Sequence, residues 1–237
     1  MKYKRILLKL SGEAVGGPDG QGLDEPVLAS YASQIASVVR KGVQVAIVIG
    51  GGNIFRGLAG ASQGFDRVHG DQMGMLATVI NSIALSIFIR KEGVPAEVFT
   101  STPMAPMAKY YSRDEAVEFM EKGGVAIIGG GTGNPFFSTD SASALRACEI
   151  KADALLKGTK VDGVYDCDPV SNPGAKKYAS LSFDKAIADG LKVMDGTAFT
   201  LCRENGMPIV VFNMTKEGSL EALVIEGKEI GTVVSNR

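Results

Sequence analysis

The 237-residue chain contains few cysteines, a single histidine and almost no net charge, and each of these shortages excludes a kind of site. Cys148, Cys167 and Cys202 are far apart, odd in number and without C-x-x-C spacing, so the sequence favours neither a disulfide framework nor a cysteine metal site. His69 is the only histidine, and we interpret it as a hydrogen-bonded structural residue rather than a catalytic one. The net charge of −1 lacks the basic excess of a general nucleic-acid-binding surface. We therefore expect a cytosolic protein with reduced thiols and no nucleic acid partner.

Long uninterrupted apolar runs are also missing. The N-terminal apolar run is very short and contains Lys9, so we expect no signal peptide. Residues 73–89 carry no formal charge, but polar side chains interrupt them and they fall slightly short of the ~20 apolar residues of a membrane span. Their bulky side chains cover more than one helical face. We predict a helix buried in the core or against a second subunit, and no membrane partner.

Short apolar runs alternate with helical patterns along the whole chain. The predicted strands are 5–10, 43–49, 96–100, 125–128, 154–157, 209–212 and 232–234. The predicted helices are 25–41, 72–92, 114–122, 141–151, 183–189, 196–204 and 219–225. Unalternating apolar strands predict a mostly parallel sheet with helices on both faces, a three-layer α/β/α sandwich. No linker divides the chain, so we expect one domain over 1–237; residues 161–165 are interpreted as a small hairpin with an Asp-Gly turn.

The most informative stretch is residues 129–140, Gly-Gly-Gly-Thr-Gly-Asn-Pro-Phe-Phe-Ser-Thr-Asp. It follows a predicted strand and precedes a predicted helix, for which Thr139 or Asp140 is the expected N-cap. Glycines after a strand let backbone N–H groups surround a ligand, and a helix start adds a positive dipole end. The stretch predicts an anion site, above all for phosphate; a tight strand-to-helix turn is the alternative.

Three more turns follow predicted strands: Lys9-Leu10-Ser11-Gly12, Gly50-Gly51-Gly52-Asn53 and Lys157-Gly158-Thr159. In an open parallel sheet the carboxyl ends of the strands share one edge, and ligands bind in the crevice there. Together the turns predict a polyphosphate site whose charge Lys9 and Lys157 counter. No G-K-[ST] or G-x-G-x-x-G occurs in these turns, which argues against a P-loop and against a dinucleotide-binding fold.

These four turns, with the Val-Asp-Gly-Val-Tyr of residues 161–165, resemble the amino acid kinase superfamily. Within it, further segments are similar to the bacterial uridylate (UMP) kinases: Phe55-Arg56-Gly57, the Gly-Asp-x-Met-Gly-Met-Leu-Ala-Thr of 70–78, residues 131–140 and Val193-Met194-Asp195. The similarity covers nearly the whole chain, with the motifs in the same order.

The resemblance implies a kinase of pyrimidine nucleotide biosynthesis that transfers the γ-phosphoryl group of ATP to UMP. Residues 1–150 would mainly bind UMP and residues 151–237 mainly ATP, and Mg²⁺ would arrive with ATP without a metal cage of the protein's own. The implied catalytic residues are Lys9, Lys157 and Asp195. The implied ATP-binding residues are Lys9, Leu10, Ser11, Gly12, Gly52, Arg56, Thr159, Tyr165 and Asp168. The implied UMP-binding residues are Gly51, Asp71, Thr132, Gly133, Asn134, Pro135, Phe136, Phe137, Ser138 and Thr139.

The resemblance also implies regulation and assembly. It connects the loop Gly17, Pro18, Asp19, Gly20, Gln21 and Gly22 with activation by GTP, and it implies inhibition by UTP. It further implies a homohexamer built from dimers, in which the helix at 73–89 is a suitable dimer surface.

Several of these residues also allow a purely structural interpretation. Asp71 would cap the long helix, accept a hydrogen bond from a ribose hydroxyl, or do both, and Asp195 would either cap helix 196–204 or organise the catalytic lysines or a metal. Arg56 is either an exposed residue or a phosphate ligand, and we assign Phe136 and Phe137 mainly to shaping their loop. Two rival functions stay open as well: a sister kinase for an amino acid carboxylate or a carbamate, and a nucleotide-binding storage or regulatory protein.

Overall fold

The structure, a computed structural model, describes residues 1–56, 64–169 and 171–236, so Gly57 of the predicted Phe-Arg-Gly motif lies outside the described residues. The strands are β1 (Arg5–Leu10), β2 (Gln44–Ile49), β3 (Ala96–Thr100), β4 (Lys109–Tyr110), β5 (Val125–Gly129), β6 (Ala154–Thr159), β7 (Ser180–Ser182), β8 (Ile209–Asn213) and β9 (Thr232–Ser235). The helices are α1 (Gly12–Val15), α2 (Glu25–Arg40), α3 (Arg67–Lys91), α4 (Arg113–Glu121), α5 (Thr139–Glu149), α6 (Phe183–Ala188), α7 (Gly196–Glu204) and α8 (Ser219–Val224).

The strands form one sheet in the order β4-β3-β5-β2-β1-β6-β8-β9-β7. All pairings are parallel except that of β8 with β9. Alternate residues of β1 enter different cores: Leu8 packs with α2, α3 and α8 on one face, and Leu7 packs with α4, α5 and α7 on the other. The predicted three-layer α/β/α sandwich with a mostly parallel sheet is confirmed.

The elements that the sequence did not predict are short. Helix α1 has four residues, β4 has two and β7 has three, which is too few for a hydrophobic period to be recognised. The hairpin predicted at 161–165 is wrong, because Tyr165 forms an isolated bridge with Lys177 instead. The N–H of Val164 also donates to the Thr232 hydroxyl, so this segment is held by the edge of the sheet rather than by itself.

Two helices begin two or more residues before the predicted ones. Helix α3 begins at Arg67, and the Asp66 carboxylate caps it by accepting from the N–H groups of Val68 and His69. Asp71 therefore lies in the second turn, and the prediction that it caps the helix is wrong. Helix α5 is capped by the Ser138 hydroxyl, which accepts from the N–H of Ser141 at 3.1 Å, rather than by Thr139 or Asp140.

Helix α3 is the one described helix whose length and composition would allow it to cross a membrane, and 44% of its most apolar window is buried inside the chain. Its inner face packs on α2, β2, β3 and β5, as in the core helix of a globular protein. Leu76, Ile80 and Ile87 on its outer face are about half exposed.

Candidate active site

An open cleft of about 890 Å³ lies over the carboxyl ends of β1, β2 and β5. The turns after these strands and the first turns of α3 and α5 line it. Among the residues predicted for ATP, the cleft is lined by Lys9, Ser11, Gly12, Gly52 and Arg56. Among those predicted for UMP, it is lined by Gly51, Asp71, Thr132, Asn134, Phe136, Phe137, Ser138 and Thr139. Most of the candidate residues therefore line one cleft, as expected from their positions after the carboxyl ends of parallel strands.

Close packing of backbone makes two glycines necessary at the floor of the cleft. A Cβ on Gly12 would lie 2.6 Å from the Gly50 carbonyl oxygen, so the turns after β1 and β2 approach too closely for any side chain. A Cβ on Gly51 would lie 2.7 Å from the Ala77 Cβ of α3. These contacts place backbone groups, rather than side chains, against whatever binds there.

The glycine-rich loop after β5 is held at several points. Gly130, Gly131 and Gly133 have φ values of +78°, +60° and +82°, which side chains rarely tolerate. The N–H of Gly130 donates to the Thr78 hydroxyl at 2.8 Å, and the N–H of Phe136 donates to the Asp71 carboxylate at 2.8 Å. The loop is thereby tied to α3, and it presents the N-terminus of α5 to the cleft.

Strand register brings two lysines together near the carboxyl ends of two central strands. Lys9 in β1 and Lys157 in β6 are paired residues of adjacent parallel strands. Each lies two residues after a leucine, Leu7 or Leu155, of the core cluster to which α5 contributes. The two-residue period of a strand therefore places both ammonium groups on the α5 face of the sheet.

Asp140, the second residue of α5, lies between the two lysines. Its Oδ1 is 2.6 Å from the Lys9 Nζ and its Oδ2 is 3.2 Å from the Lys157 Nζ. Lys157 also donates to the Val193 carbonyl at 2.6 Å. The three side chains are only 12–19% exposed, so one largely buried carboxylate bridges two largely buried ammonium groups. The sequence had offered Asp140 only as a helix cap.

The two lysines keep the Asp140 carboxylate of this cluster charged. Burial raises the pKa of the Asp140 carboxyl, but the ammonium groups of Lys9 and Lys157 outweigh burial and bring the pKa below its usual range. Burial lowers the pKa of Lys157, and Lys9 lowers it further against the opposing effect of Asp140. Asp140 is therefore ionised at neutral pH. Lys9 and Lys157 therefore lie together beside a helix N-terminus, an arrangement that suits the oxygens of a transferring phosphoryl group.

Comparison with known proteins identifies the family of this fold and site. A sequence model of the amino acid kinase family matches residues 4–213. The chain belongs to the amino acid kinase family. It is 57% identical over 235 residues to the uridylate kinase of Bacteroides thetaiotaomicron and 55% identical over 235 residues to that of Parabacteroides distasonis, with 99% of each chain covered. Among solved structures, a UMP kinase from Bacillus anthracis superposes with a TM-score of 0.95 at 38% identity, covering 100% of this chain and 97% of the other.

Within this amino acid kinase fold, Asp195 lies directly before α7 and lines the cleft. Its carboxylate caps α7 by accepting from the Ala198 N–H at 2.9 Å, as the structural alternative predicts. It also accepts from the hydroxyls of Ser138 and Ser141 at the start of α5. Among the described residues, the carboxylate that contacts both lysines is Asp140. Asp195 also lines the cleft and its charge raises the pKa of Lys157, so its catalytic role stays a prediction.

Three of the residues implied for ATP, Thr159, Tyr165 and Asp168, do not line this cleft. Thr159 ends β6 and donates to the Val161 carbonyl at 2.6 Å. The Tyr165 hydroxyl donates to Asp162 at 2.6 Å, and Asp168 accepts from the Ser171 hydroxyl at 2.8 Å. They belong to the segment that follows Lys157, so they are connected to the lysine pair through β6.

Other predicted residues have mainly structural surroundings. The Leu10 side chain is fully buried in the core, and its carbonyl accepts from the Gly50 N–H, so only its backbone is near the cleft. Gly133 and Pro135 belong to the glycine-rich loop after β5, but they do not line the cleft. Phe136 and Phe137 are 65% and 52% exposed and line the cleft, so neither ring is part of the core. The Nδ1 of His69 lies 3.1 Å from Asp66, as expected of a structural histidine.

The loop at residues 17–22 lies beside the turn after β2. The Gly22 N–H donates to the Asn53 carbonyl at 3.0 Å, and the Asn53 amide donates back to the Gly22 carbonyl. Asn53 also exchanges hydrogen bonds with the buried Asn81 of α3. The loop predicted for GTP is thus connected to the cleft floor through one asparagine.

Two charged residues of the cleft were not predicted from the sequence. Glu13 of α1 forms an ion pair with Arg56, and Arg67 of α3 donates to Asp71. Both line the cleft. Glu13 directly follows the turn Lys9-Leu10-Ser11-Gly12, but nothing about its spacing indicated a partner. Arg67 lay in a segment expected to be outside the helix, where its four-residue separation from Asp71 carried no meaning.

Proposed function

We propose that this chain is a nucleoside monophosphate kinase, which transfers the γ-phosphoryl group of ATP to UMP and releases UDP and ADP. The observation that carries the proposal is the Lys9–Asp140–Lys157 cluster, which shares one sheet edge with the glycine-rich acceptor loop. The uridylate kinase names of relatives at 55–57% identity over nearly the whole chain support UMP as the acceptor.

The residues present are sufficient for phosphoryl transfer. The phosphate of the acceptor already carries negative charge and attacks without a strong general base, so the protein needs mainly to position the groups and offset charge. Lys9 and Lys157 stabilise the oxygens of the transferring group, and Asp140 keeps the two ammonium groups side by side despite their repulsion. The backbone N–H groups of the acceptor loop and the N-terminus of α5 orient the acceptor.

The division of the cleft follows from the strand order. We assign the acceptor to the side formed by α3 and the loop after β5, mainly within residues 1–150. The donor phosphates lie over the turns after β1 and β2, and the adenosine extends toward Thr159, Tyr165 and Asp168 in residues 151–237. Asp71, at the acceptor side, accepts a hydrogen bond from a ribose hydroxyl of UMP.

Mg²⁺ belongs to this proposal as a companion of ATP. Among the described residues, no group of three or more histidine, cysteine or carboxylate side chains is arranged to hold a metal, and Asp140 is occupied by two lysines. We assign Mg²⁺ to the phosphate oxygens of ATP, which are hard ligands of the kind that this ion prefers. When bound, the ion withdraws charge from the β- and γ-phosphates.

The substrate is tested by measuring ADP release with UMP, CMP, dUMP, aspartate and glutamate as acceptors. We expect UMP to give the highest kcat/KM, because the acceptor loop forms a second phosphate cradle that a carboxylate does not need. Release driven by aspartate or glutamate would favour the sister kinase. ATP binding without acceptor-dependent release would favour a storage or regulatory protein.

We further propose a cytoplasmic enzyme of pyrimidine nucleotide biosynthesis that GTP activates and UTP inhibits. The support for GTP is the connection of residues 17–22 to the cleft floor through Asn53. Initial rates with each nucleotide added to the UMP reaction test both effects; a rate unchanged by GTP would contradict activation.

The proposed assembly is a homohexamer of dimers in which the outer face of α3 pairs. Replacing Leu76 and Ile80 together with glutamate is expected to reduce the mass of the particle, because both side chains are half exposed and apolar and would face a partner. Light scattering measures the mass. Ile187→Glu is the matched control, since that isoleucine is equally exposed on α6. A double variant that keeps the mass of the wild type would contradict the assignment.

A further inference from the structure

Three residues form a closed set of contacts at the acceptor side of the cleft. The Asp71 Oδ2 accepts from the Arg67 Nε at 2.8 Å and from the Phe136 N–H at 2.8 Å. The Arg67 guanidinium lies 5.4 Å from the centre of the Phe136 ring, within the range of a cation–π contact. These contacts join the first turns of α3 to a loop 65 residues later, and all three residues line the cleft.

The backbone of Phe136 is strained in a way that serves this contact. Its φ of +70° lies in the left-handed region, and Lys151 is the only other described non-glycine residue with a positive φ. A bulky residue stays in that region only when its surroundings hold it there. The Asp71 carboxylate receives the Phe136 N–H and Arg67 covers the ring, so both partners favour the strained form.

Both hydrogen bonds of Asp71 fall on the same carboxylate oxygen. Two donors from different directions fix Oδ2, and because the carboxylate is rigid they also fix the direction of Oδ1. The side chain is only 13% exposed, so it has little room to adopt other rotamers. Oδ1 is then the oxygen that a ribose hydroxyl meets.

We propose that Arg67 is a positioning and specificity-determining residue, which, with the Phe136 N–H, fixes Asp71 so that the acceptor site distinguishes ribose from deoxyribose. This inference rests on the proposed UMP kinase function. In this proposal Arg67 acts through the carboxylate that it holds.

The test compares kcat/KM for UMP and for dUMP in the wild type, Arg67→Gln and Arg67→Lys. Arg67→Gln is expected to lower the UMP/dUMP ratio about tenfold, which corresponds to weakening one hydrogen bond to a charged group. The loss should appear mainly in the KM for UMP, with the KM for ATP unchanged. Arg67→Lys keeps the charge and should restore part of the ratio. Arg90 lies on the same helix as Arg67 and donates to the Ala96 carbonyl of β3, so Arg90→Gln should keep the wild-type UMP/dUMP ratio.

A purely structural role would lower kcat/KM for UMP and for dUMP by the same factor. An unchanged UMP/dUMP ratio of kcat/KM in Arg67→Gln would therefore overturn the inference. A wild type that does not phosphorylate UMP would instead overturn the proposed function. The two failures are therefore distinguishable in one experiment.

Phe136 provides an independent check on the backbone contact. Phe136→Ala and Phe136→Gly both lose the ring, but only glycine adopts a φ of +70° without strain. We expect the glycine variant to keep a higher UMP/dUMP ratio than the alanine variant. Equal ratios in the two variants would overturn the role of the Phe136 N–H.

Discussion

Replacing Lys9 with alanine is expected to abolish turnover while leaving the fold intact. The ammonium group lies at the carboxyl end of β1, at the edge of the cleft and 2.6 Å from Asp140, where it offsets charge on the transferring phosphoryl group. Loss of one preorganised charge of this kind costs about 10³-fold in kcat. Initial rates of ADP release with saturating UMP measure the loss.

The fold should survive because the Lys9 side chain is outside the core clusters that flank β1. Circular dichroism and a urea unfolding curve check this directly. Lys122→Ala is the matched control, since Lys122 is an exposed lysine that pairs with Glu118 on the surface of the protein. Near-normal turnover in Lys9→Ala would remove Lys9 from the mechanism.

The layers of the fold were predictable from the sequence because the central strands are buried on both faces. The strand at residues 5–10 was predicted with its observed bounds, since its short apolar run, interrupted by Lys9, has no helical period. The strand ends were therefore known to within two residues, and with them the turns that line the cleft. The turn predicted at Lys157-Gly158-Thr159 is wrong, because β6 continues through Thr159. The register that pairs Lys9 with Lys157 was not known, because it joins residues far apart in the chain through a pairing that local patterns do not specify.

The role of Asp140 shows where local reasoning fails. Ser138, Thr139 and Asp140 are consecutive, and each is a good helix-capping residue by type. Only the packing of α5 against the sheet shows that Ser138 caps the helix and that Asp140 faces the lysines. The same limit explains Asp71, whose capping role was excluded once Asp66 was found at the helix start.

Replacing Asp140 with asparagine is the second change with a large expected effect, and it should lower kcat by about 10²-fold or more. The amide has the shape of the carboxylate without its charge, so the ammonium groups of Lys9 and Lys157 would repel each other at the place where the phosphoryl group transfers. Asp184→Asn is the matched control, because Asp184 forms an exposed ion pair with Arg203 outside the cleft.

The dependence of activity on pH separates this role from a structural one. Asp140 raises the pKa of Lys157 against the effects of burial and of Lys9. Removing its charge lowers that pKa further, so the alkaline limb of the kcat profile should move to lower pH in Asp140→Asn. An alkaline limb at the wild-type position would contradict the bridging role.

Stability should change in the same variant with a defined sign. The folded-state pKa of Asp140 lies below the unfolded value of about 3.9, so its contribution is present above that pH and is lost as the pH falls toward the folded pKa. Asparagine does not titrate, so the unfolding free energy of Asp140→Asn should depend less on pH below about 4. At neutral pH it should be lower by about 2 kcal/mol, less than for a fully buried pair because the side chains are 12–19% exposed. Urea unfolding at pH 3 and pH 7 measures the pH dependence and the neutral-pH value of the unfolding free energy. The variant leaves two like charges together. A neutral-pH stability equal to that of the wild type would therefore show that the two ammonium groups are solvated without Asp140.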